Sequence, residues 1–167
     1  MHFGVKDETP VEGDKIICLR NSWDTITEAG DVLVNGTIGT ISSIHYNRHH
    51  PFLKPQMIAS FLPDDYTEIE ADCAPIDLRF RNLNIDYKLL TTGEETVTAK
   101  NFRRFPKEFR PLTFDYGYCI TCHKAQGSEY DKVLVFEEFL KGGDHDRWLY
   151  TAATRAKEKL VIVRNFK

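Results

Sequence analysis

The N-terminal part of the chain carries short apolar or alternating segments separated by turn residues, a pattern typical of β-strands. A first apolar run covers residues 15–19, and a second covers residues 31–34. The pair Asn35-Gly36 that follows predicts a hairpin turn into residues 37–44, where apolar and polar positions alternate. Gly39, in the middle of that segment, predicts a bulge or a close approach of another backbone. Short strands joined in this way predict a small β-barrel.

The middle of the chain has a weaker pattern. Residues 53–62 are compatible with a short strand or a short helix, residues 76–80 predict a strand, and residues 91–95 predict a turn. Residues 100–107 interleave Lys and Arg with Phe. Such a mix suits a linker whose rings dock on a core while its cations stay in water. The alternative, a surface that stacks bases and binds phosphates, is weaker here because Pro106 lies near the end of the segment and Pro111 follows it.

The last third changes to the pattern of an α/β protein. Residues 116–121 predict a strand, and the continuous apolar run at residues 132–136 predicts a buried parallel strand. Residues 146–159 place Leu and Ala on one helical face and predict a helix. Residues 160–163 predict another buried strand. This order of strand, loop, strand, helix and strand favours an α/β domain.

Composition and charge exclude several classes of protein. The 167 residues are 41% hydrophobic and 28% charged, which predicts a soluble, globular protein. The sequence has no membrane span and no export signal, so we expect a cytoplasmic location and no membrane partner. The net charge is −3. Binding of nucleic acid by bulk charge is therefore not expected, and any such contact must come from a few placed residues.

The four cysteines, Cys18, Cys73, Cys119 and Cys122, are expected to be reduced thiols. The segment from Cys119 to His123 has the form Cys-x-x-Cys-His, which can also indicate haem attachment or a zinc site. A structural zinc site requires a second pair of ligands, and the other two cysteines are single and distant. We therefore predict no metal site and regard Cys119 and Cys122 as small, half-buried residues at a strand end.

Two segments carry the chemistry of the C-terminal third. Residues 118–130 contain Thr-Cys-His-Lys-Ala-Gln-Gly-Ser-Glu, and residues 149–157 contain Tyr-Thr-Ala-Ala-Thr-Arg-Ala. These segments resemble motif V and motif VI of superfamily 1 helicases of the RecD/UvrD type. Residues 11–44 also resemble the SH3-like barrel inserted in the second motor domain of the RecD-like branch. The resemblance is specific over residues 113–163, moderate over residues 11–44, and absent over residues 45–110.

The resemblance implies an all-β part followed by an α/β part. Residues 1–112 would form an SH3-like β-barrel insertion (2B-like) with connecting segments. Residues 113–167 would form the C-terminal half of a second RecA-like motor domain (2A-like), a P-loop NTPase-type fold.

The resemblance also assigns roles to individual residues. Arg155 would be a catalytic arginine finger that contacts the γ-phosphate, for which a planar, permanently charged guanidinium is suited. An alternative from spacing alone is an exposed helix arginine paired with Asp131 or Glu158. The residues implied to lie toward the nucleotide are Gln126, Gly127, Glu129, Tyr150 and Thr154. Those implied to contact nucleic acid are Thr121, His123 and Lys124.

The sequence lacks the P-loop pattern G-x-x-x-x-G-K-[ST]. We therefore expect the C-terminal piece of a longer ATP-dependent DNA helicase, with ATP and Mg²⁺ bound mainly by a missing N-terminal motor domain. Alone, the chain is expected not to hydrolyse ATP. The expected partner is single-stranded DNA, with RNA left open, and the resemblance implies 5′-to-3′ polarity and a role in DNA repair or recombination. The alternative function is a non-enzymatic module that binds single strands or a protein.

Overall fold

The computed structural model describes residues 9–46, 57–64, 76–101, 104, 110–138, 140 and 144–164. The chain divides into two compact units, residues 1–118 and residues 119–167. The division predicted from the sequence, after residue 112, lies slightly earlier. The domain identities given to the two parts stay predictions.

The first unit is built mainly from antiparallel strands. Its strands are β1 (Lys15–Cys18), β2 (Ser22–Ile26), β3 (Val32–Leu33), β4 (Ile38–Tyr46), β5 (Met57–Pro63), β6 (Phe80–Ile85) and β7 (Phe114–Tyr116). Its helices are α1 (Tyr87–Thr92) and α2 (Val97–Lys100). Five strands form one sheet in the order β6-β5-β4-β1-β7, and β2 pairs with β3 separately. Phe61, Phe80 and Phe114 are fully buried at the centre of the core, in contact with one another through Phe61.

The predicted small barrel does not close in the described part of the first unit. Strands β6 and β7 are the two edges of the sheet, and no ladder joins them. A single bridge links Ile85, at the end of β6, to Leu112, just before β7. One bridge cannot replace a ladder, so the sheet is open and an SH3-like insertion is not shown.

The hairpin predicted at Asn35-Gly36 is wrong, although the turn itself forms. Gly36 has a φ of 89°, and the Thr37 amide donates to the Val34 carbonyl at 3.2 Å. The strands on either side pair elsewhere, because β3 pairs with β2 while β4 pairs with β1 and β5. The amide of Gly36 donates to the carbonyl of Cys18 at 2.8 Å, which directs the chain after the turn onto β1.

The close approach predicted at Gly39 is confirmed. A Cβ atom at this position would lie 2.2 Å from the carbonyl oxygen of Leu62 and 2.7 Å from the Cα of Pro63. A bulge follows two residues later, between Ile41 and Ser43, and shifts the alternation of buried positions. Gly39 therefore allows the backbones of β4 and β5 to approach closely, whereas a larger residue would force the two strands apart.

The middle of the chain is only partly described. Residues 57–63 form a strand, one of the two alternatives, and β6 begins at Phe80, later than the strand predicted at residues 76–80. The turn predicted at residues 91–95 contains Gly93, which ends α1 in the left-handed conformation with a φ of 73°. Most of residues 100–107 and all of residues 65–75 lie outside the described residues, so the basic-aromatic segment is not tested.

The second unit contains β8 (Tyr130–Phe136), α3 (Asp144–Ala153) and β9 (Ala156–Val163). As predicted, its two strands are parallel. The predicted strand at residues 116–121 is wrong beyond Tyr116, where turns begin. The predicted helix at residues 146–159 is wrong beyond Ala153, because pairing with β8 takes residues 156–159 into β9.

The burial predicted for both strands of the second unit is only partly observed. Val135 is buried, as is Ala152 of α3, which lies against both strands. Leu134 and Phe136 are 55% and 61% exposed. Parallel strands are normally covered on both faces, and the described elements of this chain cover one face.

Candidate functional site

The segment that resembles motif V folds as a helix-like turn over residues 121–127. The amide of Ala125 donates to the carbonyl of Thr121 at 3.1 Å, and the amide of Lys124 donates to the Thr121 hydroxyl at 3.4 Å. Thr121 thus caps the turn in the way an N-cap residue caps a helix. Gly127 ends it with a φ of 89°, a conformation that favours glycine. The backbone therefore turns tightly at Gly127.

The side chain of Arg155 joins the two motif-like segments. Its Nη1 donates to the carbonyl of Ser128 at 3.0 Å, and its Nε donates to the carbonyl of Thr151 at 3.1 Å. Its Nη2 donates to the hydroxyl of Thr154 at 3.1 Å. The backbone continues the link, since the amide of Tyr130 donates to the carbonyl of Arg155 at 2.8 Å. Arg155 therefore fixes the end of the turn segment against the end of α3.

The alternative role for Arg155, an ion pair with Asp131 or Glu158, is not found among its contacts with the described residues. Its hydrogen bonds go to two carbonyl oxygens and one hydroxyl. A guanidinium has five N–H groups, and three are used here. Each terminal nitrogen keeps one further N–H, so a half-buried Arg155 retains donors for an anion while it holds the turn.

A second contact joins the same two segments. The thiol of Cys122 donates to the carbonyl of Trp148, in α3, at 3.6 Å. Burial raises the pKa of Cys122, and the positive charge of Arg155 offsets part of that rise. Cys122 is half-buried and Cys119 is exposed, and both lie in turns beyond β7. Their predicted place at a strand end is therefore wrong.

The remaining predicted site residues lie around this junction with different exposures. Glu129 pairs with Lys157 across the strands at 3.8 Å, in a contact open to solvent. Tyr150 is 72% exposed on α3, and the amide of Thr154 donates to its carbonyl at 3.0 Å. The residues whose side chains are exposed in the turn segment are Thr121, His123, Gln126 and Glu129, while Lys124 is half-buried. Their roles toward nucleotide and nucleic acid stay predictions.

Sequence reasoning missed a charged cluster at the far end of β8. Glu137 accepts from Arg164 at 2.9 Å and lies 2.9 Å from the Nε2 of His145. The ring of His145 stacks on Trp148 with centroids 6.2 Å apart. The cluster joins residues from three segments that are separate in sequence, and no short motif could have indicated it.

Two further features concern ligands and membranes. Among the residues that the structure describes, no three His, Cys, Asp or Glu side chains come together as a metal site. Within the same residues, no helix has both the length and the apolar character needed to cross a membrane.

Comparison with known proteins shows what the C-terminal segment is similar to. Residues 116–163 match the family model of the UvrD-like helicase C-terminal domain. This match confirms, in its coarse form, the resemblance to the C-terminal part of superfamily 1 helicases. A structure of Pif1 helicase from Candida albicans aligns with 95% of this chain at 18% identity and a TM-score of 0.46. The chain spans 33% of that protein.

Proposed function

We propose that this chain is the C-terminal part of an ATP-dependent DNA helicase, in which the second unit connects a nucleic-acid surface to a nucleotide-sensing arginine. The observation that carries the proposal is the hydrogen bonding of Arg155 to Ser128 and Thr154. It joins the two motif-like segments inside the region that matches the helicase family.

In this proposal Arg155 acts as an arginine finger toward the γ-phosphate of ATP held by a separate motor domain. Bound ATP and Mg²⁺ would supply the phosphoryl group and the charge that neutralises it. The described part of this chain can supply only one component of that site, the guanidinium donors. It has no cluster of carboxylates that could bind the metal. The hydrogen bonds to Ser128 and Thr151 orient the guanidinium before any phosphate arrives, which limits the entropy lost on contact.

The nucleic-acid surface in this proposal is the exposed side of the turn that begins at Thr121. Its hydroxyl and the ring of His123 would contact the strand backbone or a base, with Lys124 beside them. Gln126 and Gly127 form the end of the same turn, Ser128 follows and accepts from Arg155, and Glu129 comes next. If a bound strand displaced the turn, the carbonyl of Ser128 would move with it and would therefore shift the guanidinium of Arg155.

The direct test uses a polypeptide that joins this chain to a P-loop motor domain, as the reading frame upstream of it is expected to encode. We expect strand-stimulated ATP hydrolysis, and Arg155→Ala is expected to lower kcat by roughly 10³- to 10⁵-fold. Lys159→Ala is a matched control, because it removes an exposed cation of β9 that has no assigned role in the site. An equal loss in both variants, or a full ATPase activity in the isolated chain that Arg155→Ala abolishes, contradicts the proposal.

At a finer level, the same proposal assigns the protein to the RecD-like branch, with 5′-to-3′ polarity. It also identifies the first unit as the SH3-like insertion of that branch. Both assignments rest on the resemblance of residues 11–44 and 113–163. Unwinding of a duplex with a single-stranded 5′ tail, compared with a 3′ tail, tests the polarity. Preference for the 3′ tail would assign the protein to the opposite branch while leaving the helicase proposal intact.

A further inference from the structure

The first unit contains a groove that none of the motifs predicts. Its volume is 680 Å³, within the range of about 300–1,000 Å³ that is usual for ligand sites. Three stretches of the chain that are distant in sequence line it, residues 20–26, residues 81–84 and residues 110–113, together with Ala99. We propose that this groove binds a single-stranded polynucleotide, with Trp23 stacking on a base and arginines contacting phosphates.

The first argument is the irregularity of β2, which turns Trp23 outward. Ser22 pairs with Leu33 and Ile26 pairs with Val32, so residues 23–25 lie between two partners that are adjacent in the chain. The hydroxyls of Ser22 and Thr25, 2.7 Å apart, close the base of this bulge. Trp23 is consequently 70% exposed. Burying an indole is strongly favourable, so an indole held in water on a groove wall indicates a binding surface.

The second argument is a bulge in β6 on another wall of the groove. Ala59 pairs with Leu83 and Phe61 pairs with Phe80, so Arg81 and Asn82 together oppose one residue of β5. Asn82 has a φ of 54°, in the left-handed region that few residues other than glycine adopt. The result is that two successive side chains are exposed, where a regular strand would turn one of them inward.

The third argument is the charge of the groove. Arg20, Arg81 and Arg110 line it, against one acidic residue, Asp24. The side chains of Arg20 and Arg81 are 48% and 53% exposed. Both are already paired with carboxylates that lie outside the lining. Arg20 donates to Glu95 at 2.6 Å and to the carbonyl of Ala99 at 3.4 Å. Arg81 donates to Asp77 through its Nε at 2.6 Å and through its Nη2, which also lies 3.8 Å from Glu28. These bonds leave the Nε of Arg20 and the Nη1 of Arg81 unused, and such N–H groups are suited to phosphate oxygens.

This combination favours a polynucleotide over a peptide. Grooves for proline-rich peptides are lined by several aromatic rings, whereas Trp23 is the sole ring among the residues that line this groove. One stacking ring beside several guanidinium groups is the arrangement that binds single strands without strong sequence preference. The ligand, a single-stranded polynucleotide, is the one that the proposed function requires, and in this respect the inference rests on that function. The observations that support the groove all come from the first unit, and none involves Arg155.

The test uses the whole chain and its two tryptophans, Trp23 and Trp148. In the Trp148→Phe variant, Trp23 is the only indole, and an oligothymidylate of about 15 nucleotides is expected to quench its fluorescence. A second measurement uses the same oligonucleotide carrying a fluorescent label. Trp23→Ala in the otherwise unchanged chain is expected to weaken its binding roughly 5- to 140-fold, because one stacking contact is lost. An oligouridylate of equal length distinguishes RNA from DNA, and tight binding of either supports the groove.

A second variant keeps the proposal testable if Trp23→Ala perturbs folding. Arg81→Gln is expected to reduce the slope of log affinity against log salt by about 0.7. Arg79→Gln is the matched control, since Arg79 also bonds to Asp77 but does not line the groove. Equal slopes in the two variants overturn the proposal.

Two other results would also overturn it. The first is binding that survives Trp23→Ala but is lost in Thr121→Ala/His123→Ala, which would place the strand on the second unit and leave the proposed function standing. The second is quenching of Trp23 by a proline-rich peptide but by neither oligonucleotide.

Discussion

The contacts of Arg155 predict that its replacement destabilises the second unit as well as any catalytic site. Its guanidinium makes three hydrogen bonds at 3.0–3.1 Å, and these connect the turn after β7 to the end of α3. Hydrogen bonds from a charged donor contribute about 1.5–3 kcal/mol each when buried, and less when water can replace them. Because Arg155 is half-buried, we expect Arg155→Ala to lower the free energy of unfolding by about 1–3 kcal/mol in total. Arg155→Lys should lose nearly as much, since one ammonium group cannot reach three separate acceptors.

The assay is urea denaturation followed by the emission of Trp148 in a Trp23→Phe background, so that the signal comes from the second unit alone. Hydrogen exchange at the amide of Tyr130, which donates to the Arg155 carbonyl, reports the same junction independently. Lys157→Ala is the control and should change stability by less than about 0.5 kcal/mol. If Arg155→Ala unfolds at the same urea concentration as the unchanged chain, the reasoning from these hydrogen bonds is refuted. A loss of ATP hydrolysis could then be assigned to the arginine finger without correction for folding.

Two further predictions concern the first unit. Gly39→Ala should destabilise it by about 3 kcal/mol, because the new methyl group meets backbone atoms that cannot rotate away. Gly117→Ala, where the nearest atom is 3.2 Å away, should cost about 1 kcal/mol or less, and equal thermal shifts in the two variants would contradict this. Burial raises the pKa of the Cys18 thiol to about 11, so at pH 8 roughly one molecule in a thousand carries the reactive thiolate. Mass spectrometry after brief alkylation should therefore find Cys119, which is exposed, modified long before Cys18, and modification at equal rates would contradict the burial.

Local signals in the sequence predicted several elements correctly. The apolar runs at residues 15–19, 132–136 and 160–163 became strands, and the last two are parallel, as their continuous apolar pattern indicated. Gly39 marked a close backbone approach because only the absence of a side chain permits one. The motif-like segments, whose residues stand at fixed spacing, lie within residues 116–163, which match the family model of the UvrD-like helicase C-terminal domain.

Predictions failed where pairing between distant residues decided the outcome. The Asn35-Gly36 turn forms, but the choice of partner for β4 depends on β1 and on the buried contacts that the sheet makes. The predicted helix ends early because β8 recruits residues 156–159 into a strand. Local propensity contains no information about such long-range pairing, so it could not show that strand formation would prevail over helix formation here.

By itself, the sequence determined which residue types stand at which spacing, and therefore several of the strands, the turn at Asn35-Gly36 and the two motif-like segments. The tertiary structure alone decided what those residues contact. It placed the guanidinium of Arg155 between Ser128 and Thr154, and it used two bulges to turn Trp23 and Arg81 into one groove. The physical reason is that register and bulges depend on how whole strands pack, and a shift of one residue reverses which side chains face outward.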